Sequence, residues 1–170
     1  LFKPADMSLE TLFKTAAEIG YAAVELWNRG DDFEDIMILA RKYKLAVASM
    51  SGHASLPDGL NKRSNHDRIE AELRTSIDVA AKHGIPGLIC FSGNRQPYQA
   101  DIEAVEAVVD GFKRIAPYAE QKGINLNLEL LNSKVDHAGY QCDHTAWGVT
   151  VCERAGSPRV KLLYDIYHMQ

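Results

Sequence analysis

The sequence predicts an α/β fold built on a parallel sheet, and two observations indicate it. Segments with a helical spacing of apolar residues alternate along the whole chain with short apolar runs of strand length. A glycine stands between each of four such helices and the strand that follows it, namely Gly20, Gly84, Gly123 and Gly156. This repeated helix-strand unit, without a sequence repeat, is typical of a parallel sheet covered by helices.

The individual elements follow from local patterns. Ser8 can cap a first helix that ends at Gly20. Further helices are predicted at about 32–44, 69–83, 101–122 and 145–155, and strands at about 22–27, 45–50, 88–91, 124–130 and from 161 onward. Pro117 is expected to kink or split the fourth helix, because proline removes a helix hydrogen bond. The polar loop 51–64 is longer than a connection requires, which indicates part of a site.

Composition favours one domain and a small-molecule partner. With 170 residues and 46% hydrophobic content, the chain can bury one sizeable core. The net charge of −4, with mixed signs, argues against nucleic acid and against an anionic membrane surface as partners. The three cysteines lack metal-type spacing and indicate reduced thiols. No apolar run approaches the roughly 18 residues of a membrane span. We expect a cytoplasmic protein, although a start at Leu1 is compatible with a missing leader.

Two carboxylates stand near the ends of apolar strands. Glu129 lies in the run 124–130, and Asp165 follows the run that begins at Lys161. A strand buried on both faces is normally almost continuously apolar, so an acid within it needs a cation, a metal or a donor. One strand-helix-strand unit separates the two acids, which predicts neighbouring parallel strands and a shared site at the same end of the sheet. Glu25, in an earlier strand, is interpreted as a buried structural acid.

Two architectures fit five such strands, an open doubly wound sheet and a closed (β/α) barrel. Along the run 124–130, apolar residues alternate with Asn125, Asn127 and Glu129. An open sheet has helices against both faces, whereas a barrel interior can hold polar side chains that hydrogen-bond to one another. No glycine-rich phosphate loop joins an early strand to its helix, as a nucleotide-binding open sheet would usually show. We therefore predict a barrel, and the open-sheet alternative would bind a phosphate ligand.

The C-terminal residues resemble a known family. The segment YDIYHMQ at 164–170, with LELLN at 128–132 and Gly-Ser-Pro at 156–158, closely resembles the hydroxypyruvate isomerases. These belong to the xylose isomerase-like barrel superfamily, with ketose 3-epimerases, inosose dehydratases and endonuclease IV-type enzymes. The resemblance implies a TIM (β/α)₈ barrel. A complete barrel takes about 250 residues, so we interpret residues 1–170 as a single domain truncated at both ends, with about five parallel strands, strands 2 to 6.

The resemblance also implies a metal site. Glu129 matches the metal-binding glutamate after the fifth strand and Asp165 the aspartate after the sixth, while two further ligands and a second catalytic glutamate would lie beyond Gln170. His168 matches the histidine that touches substrate. Oxygen ligands independently suit a divalent cation such as Mg²⁺ or Mn²⁺, which can polarise a carbonyl and stabilise an enediolate. Proton transfer beside that carbonyl needs a carboxylate, and Glu129 is assigned this catalytic role as well.

The predicted function is a metal-dependent isomerase of a small hydroxy-carbonyl compound, of the hydroxypyruvate to tartronate semialdehyde type. Trp27 and His53, at strand ends, are assigned as substrate contacts beside His168; plain packing and a local loop role are the alternatives. A ketose 3-epimerase or inosose dehydratase would use the same metal and base. A non-catalytic sugar-binding barrel is the alternative from another class, against which two acids in the core count. A homo-oligomer is left open.

A chain with only part of a barrel should behave differently from a complete one. Gln170 is expected to follow a strand directly, without a covering helix. We expect the isolated chain to form an open, crescent-like sheet, to be poorly soluble or self-associating, and to lack isomerase activity, because unpaired edges and part of the interior would face water. Glu129 and Asp165 without their remaining ligands should bind metal weakly and repel each other.

Overall fold

The computed structural model describes residues 3–170, and within this range helices and strands alternate. The strands are β1 (Ala23–Leu26), β2 (Ala46–Ser51), β3 (Gly87–Cys90), β4 (Asn125–Glu129) and β5 (Val160–Leu163). The helices are α1 (Leu9–Ile19), α2 (Phe33–Lys42), α3 (His66–His83), α4 (Asp101–Lys122), α5 (Thr145–Ala155) and the short α6 (Ile166–Met169), with one 3₁₀ turn at Arg63–Asn65. Among the described residues, no helix combines the length and the apolar character that crossing a membrane requires.

The five strands form one parallel sheet in the order β1-β2-β3-β4-β5. A doubly wound sheet reverses its strand order at a switch point, whereas a sequential order joined by crossovers of one hand leaves all the helices on one face. The sequential order therefore confirms the barrel architecture over the open doubly wound alternative. Within residues 3–170 the sheet is an open arc with β1 and β5 as its edges.

The hydrophobic core lies between the outer face of this arc and the helices. Leu126 and Leu128 of β4 are fully buried, and so are Leu73 of α3 and Phe112 of α4. Asn125 and Asn127, which alternate with these leucines along β4, are half-buried and lie on the inner face of the arc. The alternation predicted for this strand is thus confirmed, and it aims Glu129 away from the helices.

Helix α4 runs unbroken for 22 residues, so the expected split at Pro117 is wrong. Proline removes only one helix hydrogen bond, that to the carbonyl of Lys113. Pro117 is on the exposed side of the helix, where water can satisfy that carbonyl. The opposite side, which includes Phe112 and Ile115, is buried in the core and holds the helix in place.

The end of the chain also differs from the prediction. Asp165 caps a short helix, because its Oδ1 accepts a hydrogen bond from the backbone N–H of Tyr167 at 2.8 Å. Residues Ile166–Met169 then make one helical turn, so the expectation that Gln170 follows a strand directly is wrong. This turn brings His168 back toward Asp165, three residues earlier on the same side of the helix.

Candidate active site

The ends of β4 and β5 place two carboxylates side by side. Glu129 is the last residue of β4, where it pairs with Leu163 at the end of β5. Asp165 follows two residues later, at the same end of the parallel sheet. The structure therefore brings together the two acids that the strand pattern places at neighbouring strand ends.

His168 completes a cluster with these two acids. One potential ligand atom from each of Glu129, Asp165 and His168 lies within 4.8 Å of the others. The His168 Nε2 atom is 4.0 Å from Asp165 Oδ2. Only 8% of the His168 side chain is exposed, against 43% for Asp165, so the histidine forms the more enclosed wall of the cluster.

Burial and neighbouring charge change the acidity of Glu129. The residue is 7% exposed. Burial, and then the nearby carboxylates of Asp165 and Glu25, raise the pKa of its carboxyl to about 7. Glu25 itself is exposed, on the inner face of the edge strand β1, so its interpretation as a buried acid is wrong. Its carboxylate accepts a hydrogen bond from Ser49 Oγ at 2.7 Å.

A buried tyrosine fixes the backbone of Glu129. The Tyr140 hydroxyl donates a hydrogen bond to the Glu129 carbonyl oxygen and accepts one from the Ser92 backbone N–H, each at 3.0 Å. Tyr140 is fully buried. Its hydroxyl therefore joins the ends of β3 and β4 beneath the cluster, a role that sequence reasoning did not assign.

A cavity of about 500 Å³ opens beside the cluster on the inner face of the arc. Its walls are Glu25, Trp27, Ile89, Phe91, Glu129, Leu163, Tyr164, Asp165, Ile166 and His168. Trp27 is therefore part of the same cavity as the two acids, with 58% of its surface exposed. The cavity combines aromatic walls with a few convergent polar groups, as small-molecule sites usually do.

His53 lies elsewhere. It is 4% exposed, and its Nε2 atom accepts a hydrogen bond from the Phe91 backbone N–H at 2.9 Å. Burial lowers the pKa of its imidazole to about 4. It contributes to a separate cavity of about 380 Å³, beside Arg29 and Glu72. The structure thus gives His53 a tethering contact between two loops and does not bring it to the Glu129 cavity.

The loop after β4 supplies one more contact that sequence reasoning missed. Asn132 Nδ2 lies 2.9 Å from His168 Nδ1. In the sequence, Asn132 follows Glu129 by three residues and ends the segment LELLN at 128–132, but neither fact indicates a role for its side chain. Such a polar residue in a polar loop does not stand out without the fold.

Comparison with protein-family models finds the xylose isomerase-like TIM barrel over residues 13–170. The chain belongs to this family. The match spans every strand of the sheet and both acids of the cluster. Comparison with curated protein sequences finds no match.

Solved structures of other barrels of this kind resemble this chain closely in fold. An AP endonuclease, family 2, from Brucella melitensis has 22% identity and a TM-score of 0.75, with 98% of this chain and 66% of that chain covered. A 3-keto-D-glucoside 4-epimerase from E. coli has 17% identity and a TM-score of 0.78, with 98% of this chain and 67% of that chain covered. A D-psicose 3-epimerase, solved in the presence of D-fructose, has 20% identity and a TM-score of 0.75, with 96% of this chain and 60% of that chain covered. This xylose isomerase-like chain thus spans about two thirds or less of these proteins, and at such identities the likeness shows the fold alone.

The cluster of this xylose isomerase-like barrel fits a divalent cation. Glu129 and Asp165 provide carboxylate oxygens, which hard cations prefer. Burial, and then the nearby carboxylates of Asp165 and Glu25, disfavour the charged form of Glu129, and a bound cation would offset both effects. The chemistry of the donor set therefore supports these two residues as the ones that would hold a metal.

Proposed function

We propose that this chain holds part of the active site of a metal-dependent isomerase. The substrate would be a small hydroxy-carbonyl compound, and the reaction of the hydroxypyruvate to tartronate semialdehyde type. The observation that carries the proposal is the Glu129 carboxyl, buried beside Asp165 and His168 with a pKa of about 7. Perturbed carboxyl groups in clefts are typical of catalytic sites.

Glu129 and Asp165 would hold the cation, with Mg²⁺ or Mn²⁺ the best match for oxygen ligands. When bound, such a cation supplies Lewis-acid polarisation of a carbonyl group and stabilises negative charge on the oxygens of an enediolate. Asp165 is already oriented by the hydrogen bond that it accepts from the Tyr167 backbone.

The residues of the chain would then divide the remaining work. Glu129 would take a proton from the hydroxyl-bearing carbon next to the carbonyl and return it to the carbonyl carbon. The hydroxyl proton would pass to the former carbonyl oxygen, so that the carbonyl and hydroxyl groups exchange places. His168 would orient a substrate oxygen from the enclosed wall of the cluster. Trp27 and Tyr164, which are among the cavity walls, would exclude water from one side of the substrate.

A ketose 3-epimerase is the second candidate, and an inosose dehydratase is a related one. The similar structures of a D-psicose 3-epimerase and a 3-keto-D-glucoside 4-epimerase favour sugar chemistry of the epimerase kind. Epimerisation beside a carbonyl also begins with removal of a proton from the adjacent carbon, so the same Glu129 would serve. A non-catalytic sugar-binding barrel fits less well, because it has no use for carboxylates crowded at a cost in stability.

The experiment is to assay the complete protein that contains this cluster with hydroxypyruvate, with ketoses and with inosose in the presence of Mg²⁺ or Mn²⁺. On the substrate that turns over, Glu129→Gln should lower turnover by about 10²-fold or more, the scale of losing a general base. His168→Ala should act mainly by raising KM. Glu153→Gln, at an exposed glutamate of α5, is the matched control and should leave turnover unchanged. Normal turnover of all three substrate classes by Glu129→Gln would rule out the mechanism.

A further inference from the structure

The side chain of Asn132 uses every hydrogen-bonding position that it has. Its Oδ1 accepts from the backbone N–H groups of Val135 at 3.1 Å and Asp136 at 2.9 Å. Its Nδ2 lies 3.0 Å from Asp136 Oδ2 and 2.9 Å from His168 Nδ1. A side-chain amide has one oxygen with two lone pairs and one nitrogen with two N–H groups, so this arrangement satisfies it completely.

These contacts fix the orientation of the amide without reference to the histidine. In the flipped orientation, Nδ2 would face two backbone N–H groups and Oδ1 would face the Asp136 carboxylate, so three favourable contacts would become repulsive. Asp136 is held as an acceptor, because hydrogen bonds from Asn132 and from the Tyr167 hydroxyl, the latter at 2.8 Å, lower the pKa of its carboxyl. The Asn132 nitrogen must therefore be the atom that faces His168.

An N–H group directed at His168 Nδ1 requires a lone pair on that nitrogen. A neutral imidazole has one protonated and one unprotonated nitrogen, so its proton must then be on Nε2. Nε2 is the atom that faces the cluster, 4.0 Å from Asp165 Oδ2. A protonated Nε2 can donate a hydrogen bond, but it has no lone pair to offer a metal.

Histidines that bind metals through Nε2 usually show the opposite arrangement, in which Nδ1–H donates to a carboxylate or a carbonyl. We propose that Asn132 is a positioning residue that holds neutral His168 in the Nε2–H tautomer, so that His168 acts at the site as a hydrogen-bond donor and is withheld from the metal. The identity of the acceptor as a substrate oxygen rests on the proposed function, whereas the tautomer does not.

The first test is nitrogen-15 NMR of the metal-free protein at about pH 8, above the usual pKa of histidine. The His168 resonances are identified by their loss in His168→Gln. We expect Nδ1 to be pyridine-type and Nε2 to be pyrrole-type. In Asn132→Asp the carboxylate can only accept, so the two nitrogens should exchange character. In Asn132→Ala, which tests the same contact if the aspartate variant does not fold, both tautomers should appear.

The second test measures metal affinity by calorimetry. In Asn132→Asp, His168 would donate through Nδ1 and present an Nε2 lone pair to the cluster, so Zn²⁺, which accepts imidazole, should gain affinity. Val135→Asp adds the same charge to the same loop at a side chain that is 80% exposed, and it is the matched control. We expect about 10-fold tighter Zn²⁺ binding in Asn132→Asp than in Val135→Asp, the lower end of what such second contacts contribute. Mg²⁺, which prefers oxygen, should not distinguish the two variants.

Three results would each overturn the proposal. The first is a pyrrole-type Nδ1 on His168 in the unaltered protein, and the second is an unchanged His168 tautomer in both Asn132 variants. The third is equal Zn²⁺ affinity in Asn132→Asp and Val135→Asp. Neither measurement uses a substrate, so the proposal on Asn132 and the proposed isomerase activity can fail separately.

Discussion

Replacing Glu129 with glutamine should stabilise the metal-free protein at alkaline pH while it abolishes most of the activity. The change keeps the volume of the side chain and removes its ability to ionise. The folded-state pKa of about 7, against an ordinary value of 4.5, means that ionising Glu129 costs the folded protein about 3 kcal/mol more than it costs the unfolded chain.

The sign follows from proton binding. Between pH 4.5 and pH 7 the folded protein holds a proton on Glu129 that the unfolded chain has released, so the contribution of this group to the free energy of unfolding falls as the pH rises. Above pH 7 the loss is complete. The Glu129→Gln variant has no carboxyl group to titrate at this position. The difference in free energy of unfolding, variant minus unaltered protein, should therefore be larger by about 3 kcal/mol at pH 8 than at pH 4.5, in the direction of a more stable variant.

The assay is denaturant unfolding of both proteins in chelator at several pH values, analysed by linear extrapolation. Comparing the difference at two pH values removes any constant effect of burying the amide. Glu153→Gln provides the control, and its difference from the unaltered protein should not change across this range. A difference between Glu129→Gln and the unaltered protein that is the same at pH 4.5 and at pH 8 would refute the raised pKa.

Three further predictions concern the cluster and the buried histidine. Asp165→Asn should weaken Mg²⁺ or Mn²⁺ binding and leave the fold intact, since it removes charge without changing volume; unchanged affinity in calorimetry would contradict this. Binding of either cation near pH 7 should displace the Glu129 proton, so the measured heat should depend on the ionisation enthalpy of the buffer, and identical heats in different buffers would count against it. Burial lowers the pKa of His53 to about 4, so between pH 6.5 and pH 4 the unfolded chain binds a proton at this residue that the folded protein does not. The free energy of unfolding should therefore fall as the pH falls through this range, and His53→Gln should reduce that dependence in denaturant unfolding. The same pH dependence in His53→Gln and in the unaltered protein would contradict this prediction.

The pattern of apolar and polar residues along the strands was sufficient to predict most of the fold and the proximity of the two acids. Alternation along β4 separates the helix-facing leucines from Glu129, and a glycine precedes four of the five strands, so strand order and the proximity of Glu129 and Asp165 follow from local residues. Pro117 shows the limit of local rules. Whether a proline interrupts a helix depends on which side of the helix it lies and on the packing of the other side.

The contacts around His168 could not be predicted in the same way. They depend on a four-residue helix that is too short to show periodicity, and on the course of the loop that brings Asn132 to it. Tyr140 was equally hidden, because its partners, Ser92 and Glu129, are 48 and 11 residues away in the chain. Single polar residues of this kind acquire their meaning only from the atoms that surround them.

The attachment of the loop after β4 has a consequence for how this barrel can diversify. At one end the loop is held by Asn132, and at the other Gln141 N–H donates to the Gly93 carbonyl and Cys142 N–H to Ser92 Oγ, beside Tyr140. The exposed side chains of Lys134, Val135 and Ala138, between these anchors, can therefore change without moving the backbone at the end of β4. Sequence variation can accumulate at these three positions while the geometry of the Glu129, Asp165 and His168 cluster stays the same.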